Sequence, residues 1–196
     1  GLSQIIIDLK RDGAKVRPIK NMAGGEDFNE VVFEDVVVPK DRIVGEAGNG
    51  WAQVTSELAY ERSGPERFLS AFRVFVELVR FCGPKPTQYQ ATVIGRIASH
   101  IMTLRRMSIS VAGMLESGKD VVVEAALVKE LGNNFEKLVP ELARVVGSDG
   151  FSDFSRDGDL FRRTFEDTML LSPSFTLRGG TREILRGVIA RGLGLR

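Results

Sequence analysis

Glu61 stands where a helical pattern calls for an apolar side chain. In the stretch LAYERSGPERFL it lies three residues after Leu58 and four before Pro65. The period that links Trp51, Val54, Leu58, Pro65, Leu69, Phe72, Val76 and Val79 therefore runs through a carboxylate. A carboxylate on a buried stripe has lost water, which is costly unless it is paired or protonated. Desolvation raises a carboxyl pKa towards the range in which a general base works at neutral pH. The same spacing also suits a structural ion pair of Glu61 with Arg62, with an arginine of another helix, or with a neighbouring subunit. Glu66 and Arg67, a few residues on, read as an ordinary solvated face.

A second stretch with chemical promise closes the chain, LRGGTREILRGVIARGLGLR. Adjacent glycines let backbone approach another group closely. The helix that follows offers free N–H groups and a positive dipole end, which suit a phosphate. A short glycine turn before a capped terminal helix is the alternative reading of the same residues.

Other chemistries are excluded by composition. The 196 residues carry a formal net charge of +1, so no basic excess argues for nucleic acid. A single histidine, His100, rules out a His-rich metal site. It falls at the edge of a stripe with Ile97 and Leu104, which predicts a satisfied core residue. One cysteine, Cys82, excludes an internal disulfide framework and fits a reducing, cytoplasmic compartment, and its apolar surroundings predict packing rather than reactivity. No segment is apolar for long enough to span a bilayer. The opening GLSQIIIDLK lacks the basic leader of a signal peptide, starts without methionine and reads as strand from Ile5 to Leu9, as expected of a piece of a longer chain.

These stretches need elements to hold them. Residues 2–46 read as β: IIIDLK, a turn at Asp12-Gly13, AKVRPI, a polar break and then FNEVVFEDVVVP, with both faces of FNEVVF half-buried. So few strands leave exposed edges, which predicts oligomeric or lattice pairing through residues 2–38. From residue 50 the period becomes helical. One long helix with a break near Gly64-Pro65 is predicted first. A second stripe follows at Ile94, Ile97, Ile101, Leu104, Val111 and Leu115. A third runs through Leu127, Leu131, Phe135, Leu138, Leu142 and Val145, with Pro140 as a bend. Shorter helices near 159–170 and 181–191 are separated by Ser172-Pro173. The expected class is α+β and mostly α, with a partial antiparallel β-domain over residues 1–46. An up-down four-helix-type bundle with short terminal helices follows over 47–196.

The ordered segments resemble the acyl-CoA dehydrogenases. GGEDFNEVVFEDVVVPKDRIVGEAGNGW is similar to the end of that family's middle β-barrel domain. LAYERSGPERFL resembles the first helix of its C-terminal bundle, and RGGTREILRGVIARGLGLR its C-terminal signature. The resemblance implies an FAD enzyme acting on an acyl-CoA thioester. A carboxylate takes the α-proton, and the β-carbon gives hydride to the flavin. It also implies a homo-oligomer, dimer or tetramer, and an electron acceptor such as a flavoprotein.

Carried over residue by residue, the resemblance places Gly179 where many members have a glutamate base. A minority place the base on the first bundle helix just before an arginine, as Glu61 and Arg62 do here. Arg62 and Arg191 become substrate-binding positions, Arg191 near the CoA nucleotide. Gly179, Gly180, Thr181 and Glu183 become the FAD-binding turn, with Thr181 donating to the pyrophosphate and Glu183 near the adenine nucleotide. Two motifs depart from the family. LVRFCGPKP lacks the Arg-x-x-Phe-Gly grip on FAD, and VVGSDGFSD keeps only Gly147, Gly150 and Phe151 of the usual glycine-rich sequence. The N-terminal helical domain and the first barrel strands have no counterpart in these residues. Those losses leave open a different flavin chemistry on the same fold, a monooxygenase or oxidase, or a non-catalytic paralogue serving as an oligomerisation module.

Overall fold

The computed structural model describes residues 1–148 and 156–195. The chain divides into two compact units, residues 1–58 and 59–196, and is α+β with helix predominant.

In the first unit, β1 (Ala14–Ile19) and β2 (Phe28–Phe33) pair antiparallel, from Ala14 opposite Phe33 to Ile19 opposite Phe28. The Asn21 side chain organises the connecting loop: its Oδ1 accepts from the N–H groups of Ala23 (2.9 Å) and Gly25 (3.0 Å). The hairpin is exposed on both faces apart from half-buried Ala14 and Val32, where partial burial of both faces was expected. The strand expected from Ile5 to Leu9 is reduced to isolated bridges, Ile5 with Ile43 and Leu2 with Asn49. A β-branched run becomes strand only where a partner continues the ladder, and here hydrogen bonding with residues 42–50 stops at Ile6.

The break expected near Gly64-Pro65 is present and parts two helices. α1 (Gly50–Ser63) stops because Pro65 has no N–H to give and forces Gly64 into an extended conformation. A 3-10 turn, Pro65–Arg67, redirects the chain into α2 (Phe72–Cys82). The stripe on α1 is not buried: Trp51 and Val54 are exposed.

The second unit is a helical bundle. α3 (Gln88–Glu116) starts on a capping box in which Thr87 and Gln90 satisfy each other's backbone N–H groups. It buries Ile97, Leu104 and Val111, as its stripe predicts, whereas His100 is exposed and stacks on Phe135, 5.6 Å between centroids. Gly118, with φ of 72°, turns the chain out of α3. α4 (Val122–Val146) then passes through the middle of the unit, packed against α2, α3, α5 (Arg156–Leu171) and α6 (Arg182–Gly192). Its buried positions extend round most of its circumference and include Ala125, Val128, Gly132, Val139 and Ala143. Leu131 and Val145, expected on the core face, are exposed. Cys82 packs at the margin of the core. Ser172–Thr176 forms a further 3-10 turn, which leads through Arg178 to the glycine pair and α6. Gly147 packs so closely on Phe161 that a Cβ would overlap the ring, while Gly150 and Phe151 lie outside the described residues. No helix among the described residues is long and apolar enough to cross a membrane.

Candidate active site

Glu61 and Arg62 close the last turns of α1, and the 3-10 turn brings Arg67 back beneath them. Arg67 is 7% exposed and grips Glu61 twice. Its Nε donates to the Glu61 carbonyl at 2.8 Å and its Nη2 to Glu61 Oε1 at 2.5 Å. The ion-pair partner of Glu61 is thus Arg67, which its local sequence places on a solvated face. The burial expected of Glu61 is also not met: its side chain is 40% exposed, while Arg62 beside it is 8% exposed. Helical period places a residue on a side of α1, but only the return of the chain at Pro65 decides which side is covered.

Arg62 Nε donates to the carbonyl of Gly179 at 2.9 Å, across 117 positions of sequence. Burial pushes the Arg62 pKa below the ordinary arginine value, and the neighbouring Glu61 charge offsets part of that. Gly179 and Gly180 have φ of 68° and 108°, a region only glycine enters cheaply. A Cβ at Gly179 would lie 3.3 Å from Glu61 Oε1, and one at Gly180 would lie 3.5 Å from Arg62 Nη2. Glu61, Arg62, Gly179 and Gly180 therefore share one small region, with Arg67 beneath them.

Thr181 is the N-cap of α6 but makes no capping bond with its side chain. Glu183, in the first turn, is held below the usual carboxylate range by its own backbone N–H, then by the Thr181 side chain and more weakly by Arg186 and Arg182. Arg191 is exposed in the last turn of α6.

Arg67 lies against a polar stretch of α4 that the period of its leucines does not reveal. Lys129, Asn133 and Glu136 are fully buried on one face of α4, at positions i, i+4 and i+7. Lys129 Nζ donates to Asn133 Oδ1 and, at 3.0 Å, to the Phe175 carbonyl. Nearby, Glu130 Oε1 accepts from Arg186 Nε at 2.9 Å and Arg182 Nη2 at 3.4 Å, which ties α6 to α4. The available signal was the mixture itself. The small residues beside the polar ones, Ala125, Ala126 and Gly132, leave room for another element to pack on that side as well.

Fold and site together define a helical-bundle domain with a carboxylate set against a glycine turn. Residues 48–194 match the family described as acyl-CoA dehydrogenase, C-terminal domain, and the chain belongs to that family. It is 30% identical over 200 residues to acyl-CoA dehydrogenase IpdE1 of Mycobacterium tuberculosis, an alignment covering 100% of this chain and 51% of the relative. It is 28% identical over 202 residues to IpdE1 of Mycolicibacterium smegmatis, covering 100% and 49%. The fold is also that of a solved Tcur3481-Tcur3483 steroid ACAD, with TM-score 0.82, 21% identity, and coverage of 100% of this chain and 52% of that one. The chain spans about half the length of the curated relatives named here.

Proposed function

We propose that this chain is the C-terminal part of an FAD-dependent acyl-CoA dehydrogenase that converts an acyl-CoA thioester to the 2,3-enoyl-CoA. Residues 1–46 would be the end of the middle β-barrel domain and 47–196 the helical bundle. Glu61 takes the α-proton. The observation that carries this reading is the place of its carboxylate, 3.3 Å from a Cβ position on Gly179. By the family resemblance, Gly179 is where other members root their base. A glutamate from either position would deliver its oxygens to one region, and glycine at 179 leaves that region to Glu61. Arg67 orients the carboxylate through two hydrogen bonds. Arg62 fixes the glycine turn through its bond to the Gly179 carbonyl.

The turn suits FAD in kind. Two glycines at positive φ bring backbone close, and the start of an 11-residue helix with no side-chain cap offers N–H groups to a phosphate. Thr181 adds a hydroxyl. Glu183 engages this helix start in the structure, so a bound phosphate would replace one anion there by another. When bound, FAD supplies the hydride acceptor. Arg191 is assigned to the CoA nucleotide, a homo-oligomer to the assembly, and an electron-transfer flavoprotein or similar carrier to reoxidation.

The test is an absorbance spectrum of the full-length protein. Flavin bands should be present and should bleach with some member of a panel of acyl-CoA thioesters. Glu61→Gln should keep the bands and lose the bleaching. A Glu61→Gln protein that bleaches at the wild-type rate removes Glu61 as the base.

A further inference from the structure

We infer that Glu136, which touches neither Glu61 nor the glycine turn, is the positioning residue that fixes one against the other. This rests on the proposed role of Glu61.

The candidate site is built from two chain segments that sequence does not join. One is the Pro65–Arg67 turn, which aims Glu61; the other is the approach to Gly179 through Phe175 and Arg178. Both rest on the same face of α4. Glu136, fully buried, divides its two oxygens between them. Oε1 accepts from the Ser70 N–H at 3.0 Å, three residues beyond Arg67. Oε2 accepts from Arg178 Nη2 at 3.4 Å, one residue before Gly179. Arg178 Nη2 also donates to Ser70 Oγ at 2.8 Å, so Glu136, Ser70 and Arg178 form a closed ring. One turn earlier on α4, Gly132 lets the helix approach the Arg67 backbone so closely that a Cβ would overlap the Arg67 carbonyl. Lys129 completes the seat by holding the Phe175 carbonyl.

A buried carboxylate is expensive to keep charged, and a fold that needed only packing would place an apolar side chain here. What the carboxylate adds is divalence. One acceptor pair on a continuous helix braces two turns that are otherwise joined only through Arg62 and through Arg178 with Ser70. Residues that hold a reacting group to within a fraction of an ångström act on the chemical step more than on binding.

The experiment compares Glu136→Gln, Arg178→Met, the double variant and Glu61→Gln in the full-length protein. It uses the acyl-CoA that bleaches the wild type best. Glutamine keeps the size of Glu136 but loses the charge and the second acceptor. The expected result for Glu136→Gln is normal flavin content, a KM within about threefold, and a kcat lower by about tenfold or more. Arg178→Met should behave alike, and the double variant no worse than the weaker single, since both break one ring. Amide exchange should rise together in segments 66–72 and 175–181 and stay unchanged in α3. A folded Glu136→Gln protein with wild-type kcat overturns the inference, as does a rise in exchange confined to one segment. If Glu136→Gln does not fold, the half-exposed Arg178 carries the same readings. If Glu61→Gln turns over normally, the base assignment fails, and coupled exchange of the two segments alone upholds or refutes the clamp.

Discussion

Glu61 Oε1 lies 3.3 Å from the point at which a side chain on Gly179 would begin. Residues 118 positions apart therefore compete for one place, and the sequence gives it to the one rooted in α1. The two facts that stand out in the sequence, a glutamate on an apolar stripe and a glycine before Gly-Thr, describe one arrangement.

Replacing Gly179 should expose that competition. Alanine at φ of 68° meets the left-handed penalty of about 1–2 kcal/mol, and its Cβ crowds the Glu61 carboxylate. Gly179→Ala should lower Tm by roughly 2–8 °C and reduce turnover more than flavin content. Wild-type turnover with a lowered Tm would show that the carboxylate has room to move aside.

Arg67 offers a graded test. Methionine removes both hydrogen bonds to Glu61, whereas lysine keeps the charge but cannot present two N–H groups in a fixed fork. Arg67→Met should cost about 2–4 kcal/mol in urea unfolding, with Arg67→Lys between it and wild type. Equal losses for both would mean that packing of the arginine, not its bonds to Glu61, is what matters.

How legible was this in the sequence? The stripe of α3 was read correctly because one side of that helix faces the core and the other stays open, as Ile97 and Met102 show. α4 misled for the opposite reason. It is enclosed by four helices, so its leucines mark only part of its buried surface, and Leu131 ends up exposed while Lys129 is buried. The place of Glu61 on α1 was visible from spacing. The burial of Arg67 was not, because it follows from a turn folding back onto Gly132, a contact across 65 positions that no local period records. The Ile5–Leu9 run failed as a strand for want of a continuing ladder rather than want of propensity.

Two glycines in long helices separate close approach from mere composition. Gly132→Ala would drive a Cβ into the Arg67 carbonyl, a backbone atom that cannot turn away. It should lower stability by about 2 kcal/mol or more and disturb Glu61 with it. Gly95, inside α3, has nothing within 4 Å of its would-be Cβ. Gly95→Ala should instead raise stability by about 0.5–1 kcal/mol through helix propensity alone. Thermal melts of the two variants side by side decide the matter, and equal shifts would discard the close approach.

Lys129 makes stability depend on pH in a predictable direction. Burial is the main cause that pushes its pKa from 10.5 down to about 8; Glu136 resists the shift, Arg67 and Arg178 reinforce it, and Glu61 resists it weakly. The folded protein therefore releases this proton near pH 8, while the unfolded chain holds it to about 10.5. Between those values the unfolded state binds more protons, so stability rises with pH, by an amount on the order of 3 kcal/mol for this group. Below pH 8 both states are protonated and the contribution is flat. The neutral amine still has two N–H groups for its two acceptors, Asn133 Oδ1 and the Phe175 carbonyl, so nothing is broken on deprotonation. Lys129→Met removes the titration, and the difference from wild type cancels the groups not coupled to Lys129. Urea unfolding from pH 6 to 10 should show wild type gaining on Lys129→Met only above pH 8. Parallel curves across the range would place the Lys129 pKa at its ordinary value.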